Sequence, residues 1–287
     1  SELLKEICDS AFDETEFATF LGGPDVGAAF TQLKFDHLLF TGSGNIGKHV
    51  MRAASENLVP VTLELGGKSP VIVSDSSNID ITARRVMFNK TLNAGQICLA
   101  PDYVYVHETQ KDNFVEACKD QVNNFYSDLK YNPDYTSVIN QKHYDRLNGL
   151  LSDAKDHGAE LVEINPADED FTQQESHKIP PTLILNPTDE MQIMKEEIFG
   201  PLLPIKTYKD IREPINYINK NDKPLGLYYF GNNKNEEAKV LNSTSSGGVT
   251  VNDIMGHLQQ NELGFGGVGP SGICLLYTSD AADEGLG

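Results

Sequence analysis

A chain of 287 residues is long enough for one large domain or two modest ones. Its 39% hydrophobic and 23% charged residues fit a soluble globular protein, and the sequence contains no apolar run of about 18 residues that would span a membrane. A formal net charge of −19 repels phosphate backbones and excludes nucleic acid as a partner. The four cysteines, Cys8, Cys98, Cys118 and Cys274, show no C-x-x-C spacing and no companion histidine cluster. Neither a metal site nor a disulfide framework is expected, and a reducing cytoplasm is the natural setting.

Residues 2–20 carry a helical pattern that Gly22-Gly23-Pro24 breaks, and residues 25–33 read as a short helix capped by Asp25. Residues 37–41 form a compact apolar run, read as a buried strand. Residues 45–58 follow as a helix, then residues 60–65 as a strand. That order predicts a parallel βαβ unit. Strands are expected at 71–73, 103–107, 178–186, 202–208, 227–230 and 248–252. Helices are expected at 79–93, 110–126, 143–157, 210–220 and 235–243. Alternation throughout predicts α/β architecture. The acidic stretch Asp168-Glu169-Asp170 and the loop lysine Lys68 read as solvated. The stretch 273–287 has no clear period and reads as a non-native tail.

Three segments carry chemistry. Gly42-Ser43-Gly44-Asn45-Ile46-Gly47 matches G-x-G-x-x-G between a strand and a helix, as a dinucleotide fingerprint requires. Glu64 ends the next strand at about the ~20-residue spacing of a ribose ligand. Glu64 is also framed by Leu65-Gly66-Gly67-Lys68-Ser69-Pro70, a turn whose glycines let backbone approach a ligand. Cys98, in Asn93-Ala94-Gly95-Gln96-Ile97-Cys98, is a candidate nucleophile that needs a base. On spacing alone Glu64 is either the ribose ligand or that base, and Cys98 is either a nucleophile or a buried structural thiol.

Taken together, these motifs resemble the aldehyde dehydrogenase superfamily. Glu196-Glu197-Ile198-Phe199-Gly200-Pro201, Ser246-Gly247-Gly248-Val249-Thr250-Val251-Asn252 and Gly264-Phe265-Gly266-Gly267-Val268-Gly269 continue the likeness in the same order. Ala100-Pro101-Asp102-Tyr103-Val104 is similar to the class 3 and coniferyl branch. The resemblance implies a partial Rossmann-type cofactor domain over residues 1–66 and a catalytic domain over 67–272. It implies NAD or NADP as cofactor, a small-molecule aldehyde as substrate and a homodimer. It makes Cys98 the nucleophile and Glu64 the general base. It places Gly42, Ser43, Gly47, Leu65 and Gly66 at the cofactor, with Gly44 incidental. Glu197 is placed on the nicotinamide ribose and Phe199 near the nicotinamide. Asn252 and Phe265 fall in the substrate pocket, although a strand-end amide and a core aromatic are the alternatives for those two. Without the resemblance, Glu196-Glu197 reads as a solvated acidic pair.

The resemblance also implies a preceding segment, with an asparagine amide for the oxyanion and a lysine for the adenosine ribose. No motif of this chain fills either role. Loss of one oxyanion donor costs ~10²–10³ in kcat, so the expectation for this chain alone is weak or no turnover and a tendency to aggregate. Two other functions fit the same motifs: a CoA-acylating enzyme, against which a retained water-activating Glu64 argues, and a non-catalytic nucleotide-binding or structural protein.

Overall fold

The computed structural model describes residues 1–273, and the tail expectation for 273–287 lies almost entirely outside them. The chain divides into two compact units, Ser1–Leu63 and Glu64–Gly287.

The first unit holds α1 (Glu2–Ala11), α2 (Pro24–Phe30), β1 (Leu38–Gly42) and α3 (Gly44–Ser55), and the start of β2 (Val61–Leu65). The helical pattern expected through residue 20 ends at Ala11, because Phe12 turns extended. Gly23, rather than Asp25, takes the N-cap of α2, with Pro24 at the first helical position where its missing N–H is harmless. Ser43 caps α3, its hydroxyl accepting from Ile46 N at 3.5 Å.

The second unit is built on β3 (Pro70–Val73), β4 (Tyr103–His107), β5 (Glu160–Glu163), β6 (Thr182–Leu185), β7 (Leu202–Tyr208), β8 (Gly226–Phe230) and β9 (Gly248–Val251). These form one seven-stranded sheet in the order β5-β6-β7-β4-β3-β8-β9. All pairs are parallel except β5 with β6. The helices are α4 (Ile79–Thr91), α5 (Lys111–Phe125), α6 (Gln141–Asp156), α7 (Gln192–Lys195), α8 (Arg212–Lys220) and α9 (Lys234–Ser243).

Side chains alternate across a strand, so each central strand feeds two cores. Val71, Val73, Val104, Val106, Leu203, Ile205, Tyr228 and Phe230 point to one face, against Val86 and Met87 of α4 and Phe114, Cys118 and Val122 of α5. Ile72, Tyr103, Tyr105, Leu202, Leu227 and Tyr229 point to the other, against Leu147 and Leu150 of α6, Ile215 and Ile218 of α8 and Val240 of α9. Helices on both faces of a largely parallel sheet make this an α/β fold. The parallel strands β3, β4, β7 and β8 all begin at one edge of the sheet. The loops that enter them therefore converge there, and three of these loops carry the residues singled out by the sequence.

Candidate active site

The nucleophile loop leaves α4 through a left-handed turn. Asn93, Ala94 and Gly95 have φ of 51°, 50° and 71°. At Gly95 this conformation is free of strain, and there is also no room for a side chain: a Cβ would lie 2.4 Å from Gly200 O. Gln96 staples the loop from within. Its Nε2 donates to Asn93 O and Ser137 O, both at 3.0 Å, and its Oε1 accepts from Ile139 N at 2.9 Å. On the far side of the cysteine, Tyr228 Oη donates to Leu99 O at 2.7 Å. Cys98 is thus held on both flanks while its own side chain stays only half-buried. Burial pushes the Cys98 thiol above its ordinary value, and the carboxylates of Glu197 and then Glu64 push the same way. The backbone N–H groups of Cys98 and Leu99 oppose them. In this state the thiol is protonated at neutral pH and needs a base or a change of neighbouring charge to attack.

Glu64 is 6% exposed, and among the described residues neither of its carboxylate oxygens has a hydrogen-bond partner. Desolvation pushes the group up to about 7. A carboxyl at that value is half-ionised at neutral pH, which suits proton transfer to and from water. The following residue is tied down, Leu65 N donating to Ser271 O at 3.1 Å.

Glu197 lies across the turn from Glu64. A Cβ added to Gly66 would fall 2.2 Å from either Glu197 carboxylate oxygen, so the glycine is what makes room for that carboxylate. The Gly67 N–H donates to it. Burial and then Asp102 push Glu197 up to about 7, against Gly67, Lys68 and Arg146. Phe199 is 37% exposed and has φ of 47°. Glu64, Gly66, Glu197 and Cys98 are therefore brought together within the second unit. Gly42, Ser43 and Gly47 stand at the start of α3 in the first unit, with Gly47 buried and Gly42 and Ser43 exposed.

The two residues assigned to the substrate pocket have partners of their own. Asn252 accepts from Gly231 N at 2.9 Å through Oδ1 and donates to Gly231 O at 3.1 Å through Nδ2. Phe265 stacks on His257 at 6.4 Å between centroids and 18° between planes. No group of three or more His, Cys, Asp or Glu side chains suited to a metal occurs among the described residues.

Several site residues escape a linear reading. Lys68 is not a solvated loop lysine. Its ammonium donates to Asp102, to Ile193 O at 2.7 Å and to Glu196 O at 2.8 Å. Lys90 is fully buried, donates to Pro101 O at 2.8 Å and is pushed down to about 7 by desolvation. Arg146 donates to the Glu196 carboxylate at 2.9 Å and to Ile198 O at 2.5 Å. Glu169, in the acidic stretch read as solvated, accepts from Leu129 N at 2.6 Å and Lys130 N at 3.0 Å, closing a loop instead. Most of these partners lie 34 or more residues away, and Lys90 reaches Pro101 only across the folded nucleophile loop, so no local pattern announces them.

A half-buried thiol, a buried carboxyl held at about 7 and a second carboxylate seated over a glycine turn thus lie together in the second unit. The chain belongs to the aldehyde dehydrogenase family, whose pattern it matches over residues 2–284. It is 56% identical over 284 residues to a probable coniferyl aldehyde dehydrogenase of Caulobacter vibrioides, covering 99% of this chain and 59% of that protein. The structure of AldH from Staphylococcus aureus superposes with a TM-score of 0.90 at 41% identity, over 96% of this chain and 59% of that one. Betaine aldehyde dehydrogenase from Staphylococcus aureus in complex with NAD+ gives a TM-score of 0.84 at 26% identity, over 99% of this chain and 56% of that one. The chain thus spans somewhat more than half the length of these relatives.

Proposed function

We propose that the protein oxidises an aldehyde to a carboxylic acid with NAD or NADP, through a thioester on Cys98. The observation that carries this reading is Glu64: a buried, unpartnered carboxyl held at about 7 whose charge is felt by the Cys98 thiol. Sγ of Cys98, once deprotonated, adds to the carbonyl carbon, forming a C–S bond and a thiohemiacetal. The nicotinamide supplies the hydride acceptor. Once the C–H bond has given its hydride to that acceptor, the carbonyl would re-form as a Cys98 thioester. Glu64 takes a proton from water, the hydroxide adds to the thioester carbon, and the C–S bond breaks to release the acid and the thiolate. A general base of this kind contributes ~10²–10⁴-fold.

The residues fit the cofactor. The Gly66 cradle leaves room for the Glu197 carboxylate, which would accept from the hydroxyls of a bound ribose, and Phe199 is 37% exposed. In the first unit, Ser43 and Gly47 stand in the first turn of α3, whose positive N-terminal end favours a phosphate. The cofactor region 1–66 and the catalytic region 67–272 belong to the same reading. The name of the Caulobacter relative directs the substrate toward an aryl-conjugated aldehyde, with Phe265 as an apolar wall; the family resemblance adds a homodimer and the free thiols a cytoplasmic setting. Among the described residues no helix is long and apolar enough to cross a membrane.

The test is an aldehyde panel on the full-length protein, with each cofactor in turn and reduction followed spectroscopically. Turnover that vanishes in Cys98→Ala supports the reading. Turnover retained by Cys98→Ala removes it.

A further inference from the structure

Three loops that are distant in sequence meet at Lys68. The first, 64–69, carries Glu64; the second, 98–102, carries Cys98; the third, 193–198, carries Glu197. An ammonium has three donors, and all three of Lys68 are used, on Asp102, Ile193 O and Glu196 O. The Asp102 carboxylate uses both oxygens, one on Lys68 and Oδ2 on Ile198 N at 2.8 Å. Asp102 is 3% exposed. Its own N–H donates to Ser69 O at 2.9 Å, and Ser69 Oγ accepts from Gly226 N at 3.2 Å, so the pair is anchored to β8 as well.

The positions of these contacts matter more than their number. Lys68 grips the carbonyl of Glu196, and Asp102 grips the amide of Ile198. The residue between the two grips is Glu197. With the backbone fixed immediately before and after it, its side chain is directed over Gly66, where a missing Cβ leaves space for the carboxylate. Arg146 closes the other side, on Glu197 O at 3.3 Å and Ile198 O at 2.5 Å.

We propose that Lys68 and Asp102 are positioning residues for the reaction: as an ion pair of a buried aspartate and a partly buried lysine they fix the backbone on both sides of Glu197 and so hold its carboxylate over the Gly66 turn, facing the Cys98 thiol. The proposal rests on the reading of Cys98 as the nucleophile. The desolvation of Asp102 offsets part of the attraction within the pair, so what the pair contributes is the arrangement it fixes and not net stability. What the pair controls is the charge that Cys98 meets. The groups acting on that thiol are Glu197 first and Glu64 second. Those acting on Glu197 are Asp102, Gly67 N–H, Lys68 and Arg146, with buried Lys90 nearby and in turn sensitive to Glu197.

The experiment measures the rate of Cys98 alkylation by iodoacetamide against pH, resolved by peptide mass spectrometry, in the 287-residue protein and its variants. Cys118, fully buried and pushed far up by desolvation, serves as the internal monitor of folding. Glu197→Gln is expected to move the Cys98 profile to lower pH, raising the rate on the order of three- to tenfold at a fixed mildly alkaline pH. Lys68→Met is expected to move it in the same direction, and adding Lys68→Met to Glu197→Gln should move it no further. Lys68→Arg, which keeps the charge, should restore most of the original profile. A Lys68→Met profile identical to that of the parent, or one whose shift adds in full to that of Glu197→Gln, overturns the proposal. If Lys68→Met exposes Cys118 to labelling, Lys68→Gln, which keeps one donor to a carbonyl, carries the same expectation at smaller size. A parent protein in which Cys98 is labelled no faster than Cys118 contradicts the underlying reading of Cys98 instead.

Discussion

Glu64 binds its proton through a pH window in which the unfolded chain has lost it. Its value in the folded state is about 7, against an ordinary 4.5. A raised carboxyl contributes its full stability below 4.5 and loses it as pH rises to about 7, so above 7 the folded protein carries an unpartnered buried charge. Glu64→Gln is therefore expected to be more stable than the parent above pH 7, by on the order of 1–3 kcal/mol. The difference should vanish below pH 4.5, and urea unfolding on either side of the window reads it directly. The same substitution should abolish the limb of the turnover profile that rises through pH 7, so the site sacrifices stability for chemistry at this residue. Gly66→Ala provides a second test. The new methyl would fall on the Glu197 carboxylate. Because a carboxylate can swing aside where backbone cannot, the fold should survive, while the KM for cofactor should rise about tenfold or more, the loss of one good charge-assisted contact. Cys98 and Glu64 stand out in the sequence as candidates because their glycine-framed motifs are local. Lys68, Arg146 and Lys90 were not, because what defines them is a carbonyl or carboxylate reached only in the folded chain.

The left-handed turn at residues 93–95 leads the chain from α4 into the loop that carries Cys98. The sequence predicts a helix running through residue 93, but α4 ends at Thr91 and the backbone reverses hand. Gly95, and less strongly Asn93, signal the reversal by residue type, while Ala94 does not. Gly95→Ala combines a φ of 71° with a 2.4 Å approach to Gly200 O. It should cost about 2–4 kcal/mol in chemical unfolding and slow Cys98 alkylation, because backbone on both sides leaves nothing to yield. The central strands are the most legible elements, since their alternate side chains feed two helix-covered cores and their sequences are apolar throughout. Strand β5 was missed: Glu160-Leu161-Val162-Glu163 is a half-exposed antiparallel edge whose signal depends on pairing with β6. Helix α7, four residues long, carries no period to detect.

At the scale of the molecule, the second unit encloses its own cores, whereas the first unit leaves Leu3, Leu4, Phe12, Phe17, Phe20 and Leu58 exposed. Apolar surface of that kind associates readily. The 287-residue protein alone is expected to scatter light and bind a hydrophobic dye at micromolar concentration, despite a charge of −19 that opposes association. Its parallel strands start at the edge where the candidate site assembles, so the loops before β3, β4 and β7 carry the chemistry. A rule that looks for ligands beyond the strands' carboxyl ends points to the opposite edge. The central claim is that Cys98 carries the acyl group and Glu64 discharges it. The most direct measurement is intact and peptide mass spectrometry of full-length Glu64→Gln protein mixed with a reactive aryl aldehyde and NAD+. The account predicts one equivalent of reduced cofactor and an acyl adduct confined to the Cys98 peptide, persisting because water is no longer activated. Cofactor reduction with no adduct on Cys98, or sustained turnover in the Cys98→Ala protein, would contradict it.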